Sequence, residues 1–394
     1  MLVAVIGGKV QGIEACYLAK KAGWQVRLID KRAVVPAKGL CDSFIQMDVL
    51  RDKTMQRALG DADLILPALE DDPALERISR WAGKEGIPCA FDIDAYRVSS
   101  SKSASNRLFQ ELDLPIPGLW PESRFPVILK PDRGSGSRGI QIFKDVSDLS
   151  KRFAVPGTFA VPGMMDGLII QEFVRGNSYS LEVFGFPGSY QPLQVTDLYM
   201  DEVFSCKRVA APTELSSAMR EEFANMSVSM AEAVGLKGLM DVEVIQNEGC
   251  LKILEIDARL PSQTPITVFW STGLNMVELL GKLFTNPCGK LSFPELITDI
   301  ALGVVIEHIT VTEKGLEIAG EHILARQESL WLHEDFFGAD EAITNYSPDR
   351  KQWAATLINT GASREDAWER RNRVIRAIMQ EHDLTLYSDP EPIL

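Results

Sequence analysis

Three charged side chains alternate along one predicted strand in the second half of the chain. The segment LKILEIDARL carries Glu255, Asp257 and Arg259 at every second position. Side chains of a β-strand alternate between its two faces, so these three groups share a face. Two carboxylates beside a guanidinium form either a solvated surface stripe or a site that gathers Mg²⁺ and phosphate.

The segment before this strand adds two more carboxylates. KGLMDVEVIQ is predicted to pair with it as a β-hairpin around the turn residues 247–249. A three-residue loop would place Val242 opposite Leu254. Asp241 and Glu243 would then share the face of the three charged residues, whereas a loop of two or four residues would break that facing.

Several carboxylates on one face repel each other unless a hard cation neutralises them. Mg²⁺ takes oxygen ligands and bridges carboxylates to substrate phosphates, and the planar fork of Arg259 suits a phosphate oxygen. The alternative is a solvated acidic ribbon, which the apolar residues of the opposite face and the PSQTP loop at 261–265 do not favour. The hairpin therefore predicts a metal and phosphate site.

A lysine followed by a glycine- and serine-rich loop is a second candidate. Lys130 stands in the predicted strand FPVILKP, and residues 132–139 read DRGSGSRG. The backbone N–H groups of such a loop can close over phosphates while the lysine supplies a fixed positive charge. The loop lacks the spacing of a Walker motif, and an ordinary surface connection is the alternative.

Two further motifs are weaker. Gln171 and Glu172 interrupt the apolar strand LIIQEFV, which is either a buried strand or an adenine-binding hinge between two lobes. GGKVQG (7–12) follows the first strand, and Asp30 ends the second, as in a dinucleotide-binding fold. However, Lys9 stands where that fingerprint requires glycine. A turn that contacts a small ligand, or plain turn glycines, are the alternatives.

The elements that must position these groups indicate an α/β protein. Residues 1–92 alternate strand and helix, with LVAVIGG, WQVRLIDK, ADLILPA and IPCAFDI as strands, which is typical of a doubly wound parallel sheet. The pattern changes near residue 93, and the phosphate loop, the hinge strand and the hairpin follow. A tail of mixed strands and helices comes last. We predict three domains, at 1–92, 93–285 and 286–394.

Composition excludes several classes of function. The net charge of −14 in 394 residues argues against nucleic acid as a partner. No apolar run has the length of a membrane span, and the first residues resemble a strand more than a signal peptide. Six scattered cysteines indicate free thiols in a cytoplasmic protein. All four histidines lie in the last quarter of the chain, so earlier chemistry has to proceed without a histidine base.

The order of these motifs resembles the ATP-grasp superfamily over residues 1–285. Within it, GGKVQGIEACYLAKKAGWQVRLIDK, KGLMDVE and especially EIDARLPSQTP are similar to the ligases of pyrrolysine biosynthesis. The resemblance implies an N-terminal Rossmann-like domain that precedes the ATP-grasp lobes, a central ATP-grasp domain with the nucleotide and metal site, and a C-terminal α+β lobe. Asp257 departs from the wider superfamily, in which asparagine is commoner at this position.

The resemblance also implies a role for each matching residue. Contacts to ATP are implied for Lys9, Lys102, Lys130, Gln171, Glu172, Val174, Ser178 and Ser180. Binding of Mg²⁺ is implied for Glu243, Glu255 and Asp257, and contact with the transferred phosphate for Arg259. Substrate contacts are implied for Gln11, Gly12 and Glu70, which would bind the lysine, and for Asp241, Ser262 and Thr264.

The implied reaction is the ATP-dependent joining of 3-methyl-D-ornithine, activated as an acyl phosphate, to the ε-amine of L-lysine, with release of ADP and phosphate. The resemblance implies a monomer or homodimer. Three alternatives stay open at this point: an ATP-grasp ligase or carboxylase with other substrates, a nicotinamide-dependent oxidoreductase, and a non-catalytic nucleotide sensor.

Overall fold

The structure is a computed structural model that describes residues 1–51, 54–152, 167–286 and 301–392. Among these residues, no helix combines the length and the apolar character needed to cross a membrane.

The first part of the chain forms a parallel sheet, as predicted. Its strands stand in the order β3-β2-β1-β4 and pair in parallel throughout. The elements are β1 (Leu2–Ile6), α1 (Val10–Lys21), β2 (Gln25–Asp30), β3 (Ser43–Gln46), α2 (Met55–Leu59), β4 (Leu64–Pro67) and α3 (Asp72–Glu85).

The structure differs from the predicted sheet at two places. Strand β3 was not predicted, because its polar ends and half-buried residues hide the apolar pair at its centre. The segment 87–93 was predicted as a strand, but Cys89 makes only an isolated bridge to Ile65. The Asp92 carboxylate instead accepts hydrogen bonds from the backbone N–H groups of Asp94 and Ala95, which starts a helix.

A small sheet follows and carries the phosphate loop and the hinge. Its strand order is β6-β5-β7, and both pairings are antiparallel. The elements are α4 (Ile93–Ser99), α5 (Lys102–Glu111), β5 (Val127–Pro131), β6 (Gln141–Phe143), α6 (Val146–Arg152) and β7 (Leu168–Glu172).

A large sheet occupies the remainder of the described chain. Its central order is β12-β11-β8-β9-β10-β13-β17-β16-β15, and β14 and β18 extend it from β13. The strands are β8 (Asn177–Phe186), β9 (Ser189–Met200), β10 (Cys206–Ala211), β11 (Gly238–Asn247), β12 (Cys250–Asp257), β13 (Gly303–Thr312), β14 (Gly315–Ile318), β15 (Trp331–Glu334), β16 (Glu341–Thr344), β17 (Trp353–Gly361) and β18 (Leu386–Ser388). The helices are α7 (Ser217–Ala233), α8 (Thr264–Thr272), α9 (Met276–Thr285) and α10 (Arg364–Glu381).

The C-terminal strands continue the central sheet directly, because β10 pairs with β13. One hydrophobic core also joins the parts of the molecule: Leu18 of α1, Val277 of α9 and Ile306 of β13 are members of the same buried cluster. A second core lies under one face of the hairpin, where Val242 and Ile256 pack with the residues of α7. The other face of the hairpin is therefore left for the charged side chains.

Candidate active site

The hairpin of β11 and β12 places the five charged residues on one face, but through a different register from the predicted one. Its turn has two residues, Glu248 and Gly249, both with positive φ (50° and 82°). The predicted three-residue loop and the pairing of Val242 with Leu254 were wrong. Leu254 forms a β-bulge, which shifts the register by one residue and restores the facing that a two-residue turn alone would break.

The bulge brings the carboxylates into direct cross-strand pairs. Asp241 stands opposite Asp257, and Glu243 stands opposite Glu255. Desolvation, and then the neighbouring Glu255 and Asp241, raise the pKa of Glu243 well above its usual range. Desolvation also raises the pKa of Asp241 to about 6 and the pKa of Asp257 to about 7. The cluster therefore holds more negative charge than the protein alone stabilises well.

Glu255 differs from its neighbours because two lysines face it. Desolvation works against its charge, but Lys102 and Lys130 outweigh this and lower the pKa of Glu255. The Lys102 ammonium lies 3.3 Å from the Glu255 carboxylate. Desolvation lowers the pKa of the buried Lys130, and the charge of Glu255 opposes that change. Two cations and an ionised carboxylate thus meet at the end of the hairpin.

The arrangement suits a divalent cation. Within the described ranges, no group of three carboxylate, histidine or cysteine side chains converges as a preformed metal site. Glu243 and Glu255, however, face each other, and the buried Oδ1 atom of Asp257 has no hydrogen-bond partner in the part of the chain that the structure describes. A cation beside these oxygens would remove their repulsion. The residues present therefore fit Mg²⁺, which stays a prediction for all three carboxylates.

Arg259 and Glu70 join the hairpin to the first domain. The Arg259 guanidinium contacts the carboxylates of Asp257 at 2.6 Å and Glu70 at 2.5 Å. The side-chain amide of Gln11 donates to the same Glu70 carboxylate at 3.1 Å. Two predicted substrate residues are thus connected to the predicted phosphate-binding arginine.

A cavity of about 590 Å³ opens over this cluster. Most of the residues predicted from the sequence line it, namely Glu70, Lys102, Lys130, Gln171, Glu172, Val174, Ser178, Asp241, Glu243, Glu255, Asp257, Arg259, Ser262 and Thr264. Apolar side chains, among them Ile128, Phe173 and Leu198, line the cavity with the hinge residues and suit a flat ring. The Glu172 carboxylate is itself held by the Lys252 ammonium at 2.7 Å, so it is fixed by the protein.

Four predicted residues do not line this cavity: Lys9, Gln11, Gly12 and Ser180. Ser180 lies beneath it and donates to the Asp241 carboxylate. Gly12 packs against backbone, since a Cβ there would lie 2.2 Å from the Gly7 carbonyl oxygen. Desolvation, then the charges of Arg32 and of Arg138 in the phosphate loop, lower the pKa of Lys9.

The glycines of GGKVQG serve the turn itself. Gly7 has a φ of 110°, and a Cβ there would lie 2.3 Å from the Ala68 carbonyl oxygen. The Asp30 carboxylate accepts a hydrogen bond from the backbone N–H of Gly8 at 2.9 Å. Close packing and a strand-end carboxylate that holds the turn account for this motif without a dinucleotide.

Four residues of the site were not predicted. Glu182 is fully buried beside Asp241, and neither of its carboxylate oxygens has a hydrogen-bond partner among the described residues. Desolvation and then Asp241 raise the pKa of Glu182 to about 8. Ser178, Ser180 and Glu182 alternate along β8, so the strand periodicity would have revealed this acid.

The other three lie around the PSQTP segment and on β10. The Glu321 carboxylate accepts hydrogen bonds from Ser262 at 2.6 Å and from the Gln263 side chain at 2.9 Å. Glu14 accepts from the backbone N–H groups of Gln263 and Ile266, at the start of α8. Lys207 lines the cavity with its side chain only 2% exposed. No local sequence pattern indicates these long-range contacts.

The phosphate loop lines the cavity through residues 134–138. Lys102 donates to the Gly134 carbonyl at 2.9 Å, and Ser137 donates to the Phe204 carbonyl at 2.5 Å. Arg133 contacts Asp72 at 2.7 Å, and the Ser135 hydroxyl donates to Glu70. The loop therefore touches the first domain, α5 and the large sheet.

We expect nucleotide to slow hydrogen exchange in this loop. Adding AMP-PNP with Mg²⁺ gives the loop N–H groups phosphate acceptors, so the amides of 132–139 should exchange more slowly. Mass spectrometry of peptic fragments measures this, with residues 331–334 of the distant β15 as the internal control. Unchanged exchange at 132–139 would show that the loop does not close on phosphate.

Comparison with known proteins agrees with this geometry. The model of the ATP-grasp domain family matches residues 99–263 of the chain. The chain is similar to the biotin carboxylase domain of the Hydrogenobacter thermophilus 2-oxoglutarate carboxylase, a domain dimer in complex with MgADP, ADP and bicarbonate. The identity is 17% and the TM-score 0.71, covering 95% of this chain and 89% of that chain. An L-amino acid ligase from Bacillus licheniformis matches at 16% identity and a TM-score of 0.68, covering 98% of each chain.

Fold and site together define an ATP-grasp enzyme of the carboxylate–amine ligase class. The chain is 32% identical over 374 residues to the 3-methyl-D-ornithine–L-lysine ligase of Methanosarcina mazei, covering 94% of each protein. It is 33% identical over 326 residues to the ligase of that name from Methanosarcina barkeri, covering 82% of this chain and 84% of that protein. The chain belongs to the family of 3-methyl-D-ornithine–L-lysine ligases. The predicted fold class and the ligase interpretation are confirmed. The relatives favour the ligase over the oxidoreductase and the nucleotide sensor.

Proposed function

We propose that this chain uses ATP and Mg²⁺ to join the carboxylate of 3-methyl-D-ornithine to the ε-amine of L-lysine. One observation carries the proposal. A single cavity contains a hinge suited to adenine, cations suited to phosphates and carboxylates suited to substrate ammonium groups. A ligand with two ammonium groups needs buried acids that pair with them. The similarity to the 3-methyl-D-ornithine–L-lysine ligases of Methanosarcina mazei and Methanosarcina barkeri supports the choice of substrates.

Activation of the carboxylate comes first. A carboxylate oxygen attacks the γ-phosphorus of ATP, the bond to the β,γ-bridging oxygen breaks, and an acyl phosphate and ADP result. Lys102, Lys130 and Arg259 are placed to stabilise the charge that spreads over the phosphoryl oxygens. Glu243, Glu255 and Asp257 would hold Mg²⁺, which neutralises phosphate charge when bound.

Amide formation follows. The neutral ε-amine of lysine attacks the acyl carbon, the amine loses a proton, and inorganic phosphate leaves. Glu70 lines the cavity and would contact the lysine, and Gln11, which donates to Glu70, would hold that carboxylate in position. Asp241, which lines the cavity, would pair with an ammonium group of the ornithine or take the proton of the attacking amine. Glu182 lies behind it on β8 and would act only through Asp241.

The test is mass spectrometry of the products formed from ATP, Mg²⁺, L-lysine and a panel of ornithine analogues. We expect one ADP for each amide, and fragmentation that places the new bond on the ε-nitrogen of lysine. The control reactions omit lysine or replace it with norleucine, which lacks the ε-amine. An amide from another amino-acid pair would retain the ligase class and replace the substrates, whereas ATP binding without any product would contradict the proposal.

A further inference from the structure

The last described residues of the chain lie on the wall of the nucleotide cavity. Strand β18 pairs in parallel with β14 at the edge of the large sheet. The chain continues from β18 through Asp389 and Pro390, and Glu391 and Pro392 line the cavity. The C-terminal lobe thus reaches the site through its final segment.

Lys207 of β10 lies where this segment meets the cavity. Its ammonium donates to the Pro390 carbonyl at 2.6 Å and contacts the Asp389 carboxylate at 2.7 Å. The side chain is 2% exposed, yet it lines the cavity. An ammonium has three donors. One donates to the Pro390 carbonyl and Asp389 pairs with the charge, so at least one donor is left for a ligand.

The tail is anchored by a second set of contacts that does not involve Lys207. Arg208 contacts Glu307 at 2.9 Å and Asp389 at 2.7 Å. Arg371 of α10 contacts Glu307 at 2.7 Å and donates to the Tyr387 hydroxyl at 2.8 Å. Burial opposes the charge of Asp389, but Arg208 and Lys207 outweigh it and hold the pKa of that carboxyl below its usual range.

We propose that Asp389 is a positioning residue: with the Pro390 carbonyl it holds the Lys207 ammonium at the cavity wall, ready to contact the phosphoryl group that ATP transfers. The inference rests on the proposed function, because it assigns the free donor of Lys207 to phosphate. A free lysine side chain has many rotamers and loses entropy when a ligand fixes it. Two fixed acceptors remove that freedom before the nucleotide arrives, and a preorganised cation stabilises developing charge without further rearrangement.

The discriminating variant is Asp389→Asn. The pairing of β18 with β14 and the hydrogen bond from Arg371 to the Tyr387 hydroxyl remain, so the tail should stay docked, while Lys207 and Arg208 lose their charged partner. We expect the affinity for AMP-PNP with Mg²⁺ to fall about tenfold, and the affinity for ADP with Mg²⁺ to change by less than about twofold, since ADP lacks the terminal phosphoryl group. Isothermal titration measures both, and Asp389→Glu should restore most of the loss.

Tyr387→Phe is the matched control. It removes the hydroxyl that accepts from Arg371 and donates to Asp389 Oδ2 at 3.3 Å, and it leaves the ion pair between Lys207 and Asp389 Oδ1 in place. We expect unchanged affinity for both nucleotides. Equal losses in Tyr387→Phe and Asp389→Asn, or an equal loss of ADP and AMP-PNP affinity in Asp389→Asn, would assign Asp389 to tail docking alone. Tighter AMP-PNP binding in Asp389→Asn would mean that Asp389 competes with phosphate for Lys207.

A double-mutant cycle tests the route through the lysine. In a Lys207→Met background, Asp389→Asn should have no further effect on AMP-PNP affinity, because the group it positions is gone. Additive losses would overturn the proposal. These titrations require no amide product, so they separate this inference from the product assay, in which failure of the proposed function would appear.

Discussion

Replacing Glu255 by glutamine is expected to lower turnover at least about 100-fold, equivalent to roughly 2.7 kcal/mol of transition-state stabilisation. Glu255 is the one hairpin carboxylate whose pKa is lowered, and it lies between Glu243 on the neighbouring strand and the two lysines. The amide keeps the size of the side chain but cannot hold a divalent cation as a carboxylate does. ADP release at saturating Mg²⁺ measures the loss.

The control for this variant is Glu313→Gln. Glu313 also contacts a lysine, Lys351 at 2.6 Å, but both side chains are exposed on the C-terminal lobe. This substitution should leave turnover unchanged, because exposed ion pairs contribute little. Circular dichroism and the Tm should show that Glu255→Gln is folded. Near-normal turnover in a folded Glu255→Gln protein would remove this residue from the metal site.

The hairpin shows what the sequence could and could not predict. Alternation along 251–260 correctly placed the charged residues on one face, since the strand period is two. Loop length and register were wrong, because the β-bulge at Leu254 has no distinctive residue type. The turn used two residues, and the bulge compensated. The charged side chains were thus correctly predicted to share one face, but on the assumption of a three-residue turn. In the structure, a two-residue turn and a β-bulge together give the same arrangement.

Strand predictions succeeded where burial was strong and failed where it was marginal. The buried strands β1, β2 and β4 were predicted. Strand β3 is half exposed, and only pairing with β2 makes it a strand. In the failed segment 87–93, the sequence looks extended, but the capping carboxylate of Asp92 commits the chain to α4. Tertiary pairing and helix capping decided these two cases, and neither is visible in hydrophobic periodicity.

The residues of the site also differ in whether a local sequence pattern could identify them. Local patterns identified the carboxylates of the hairpin, the lysine beside the loop and the hinge. Lys207, whose partner Pro390 lies 183 positions away, depends on contacts that only the fold creates. Glu182 is intermediate, because its strand alternation was visible in the sequence and its burial was not.

Asp241→Asn is expected to leave acyl phosphate formation intact and to slow the coupling of lysine at least about 100-fold, the lower range for loss of a general base. Asp241 lines the cavity beside the metal cluster and accepts a hydrogen bond from Ser180. The ε-amine of free lysine has a pKa near 10.4, so it has to lose a proton before it attacks. A carboxylate at this position can accept that proton, whereas asparagine cannot.

Hydroxylamine trapping separates the two steps of this prediction. In Asp241→Asn, trapped hydroxamate should form at a near-normal rate, while the amide with lysine forms slowly. Glu182→Gln is the comparison, since Glu182 stands opposite Asp241 on β8 but does not line the cavity. Because Glu182 cannot contact the ligand directly, Glu182→Gln should leave the ratio of hydroxamate to amide unchanged. If Asp241→Asn fails to form hydroxamate, Asp241 acts in activation, as a partner of the metal or of the ornithine ammonium, and the proton of lysine leaves by another route.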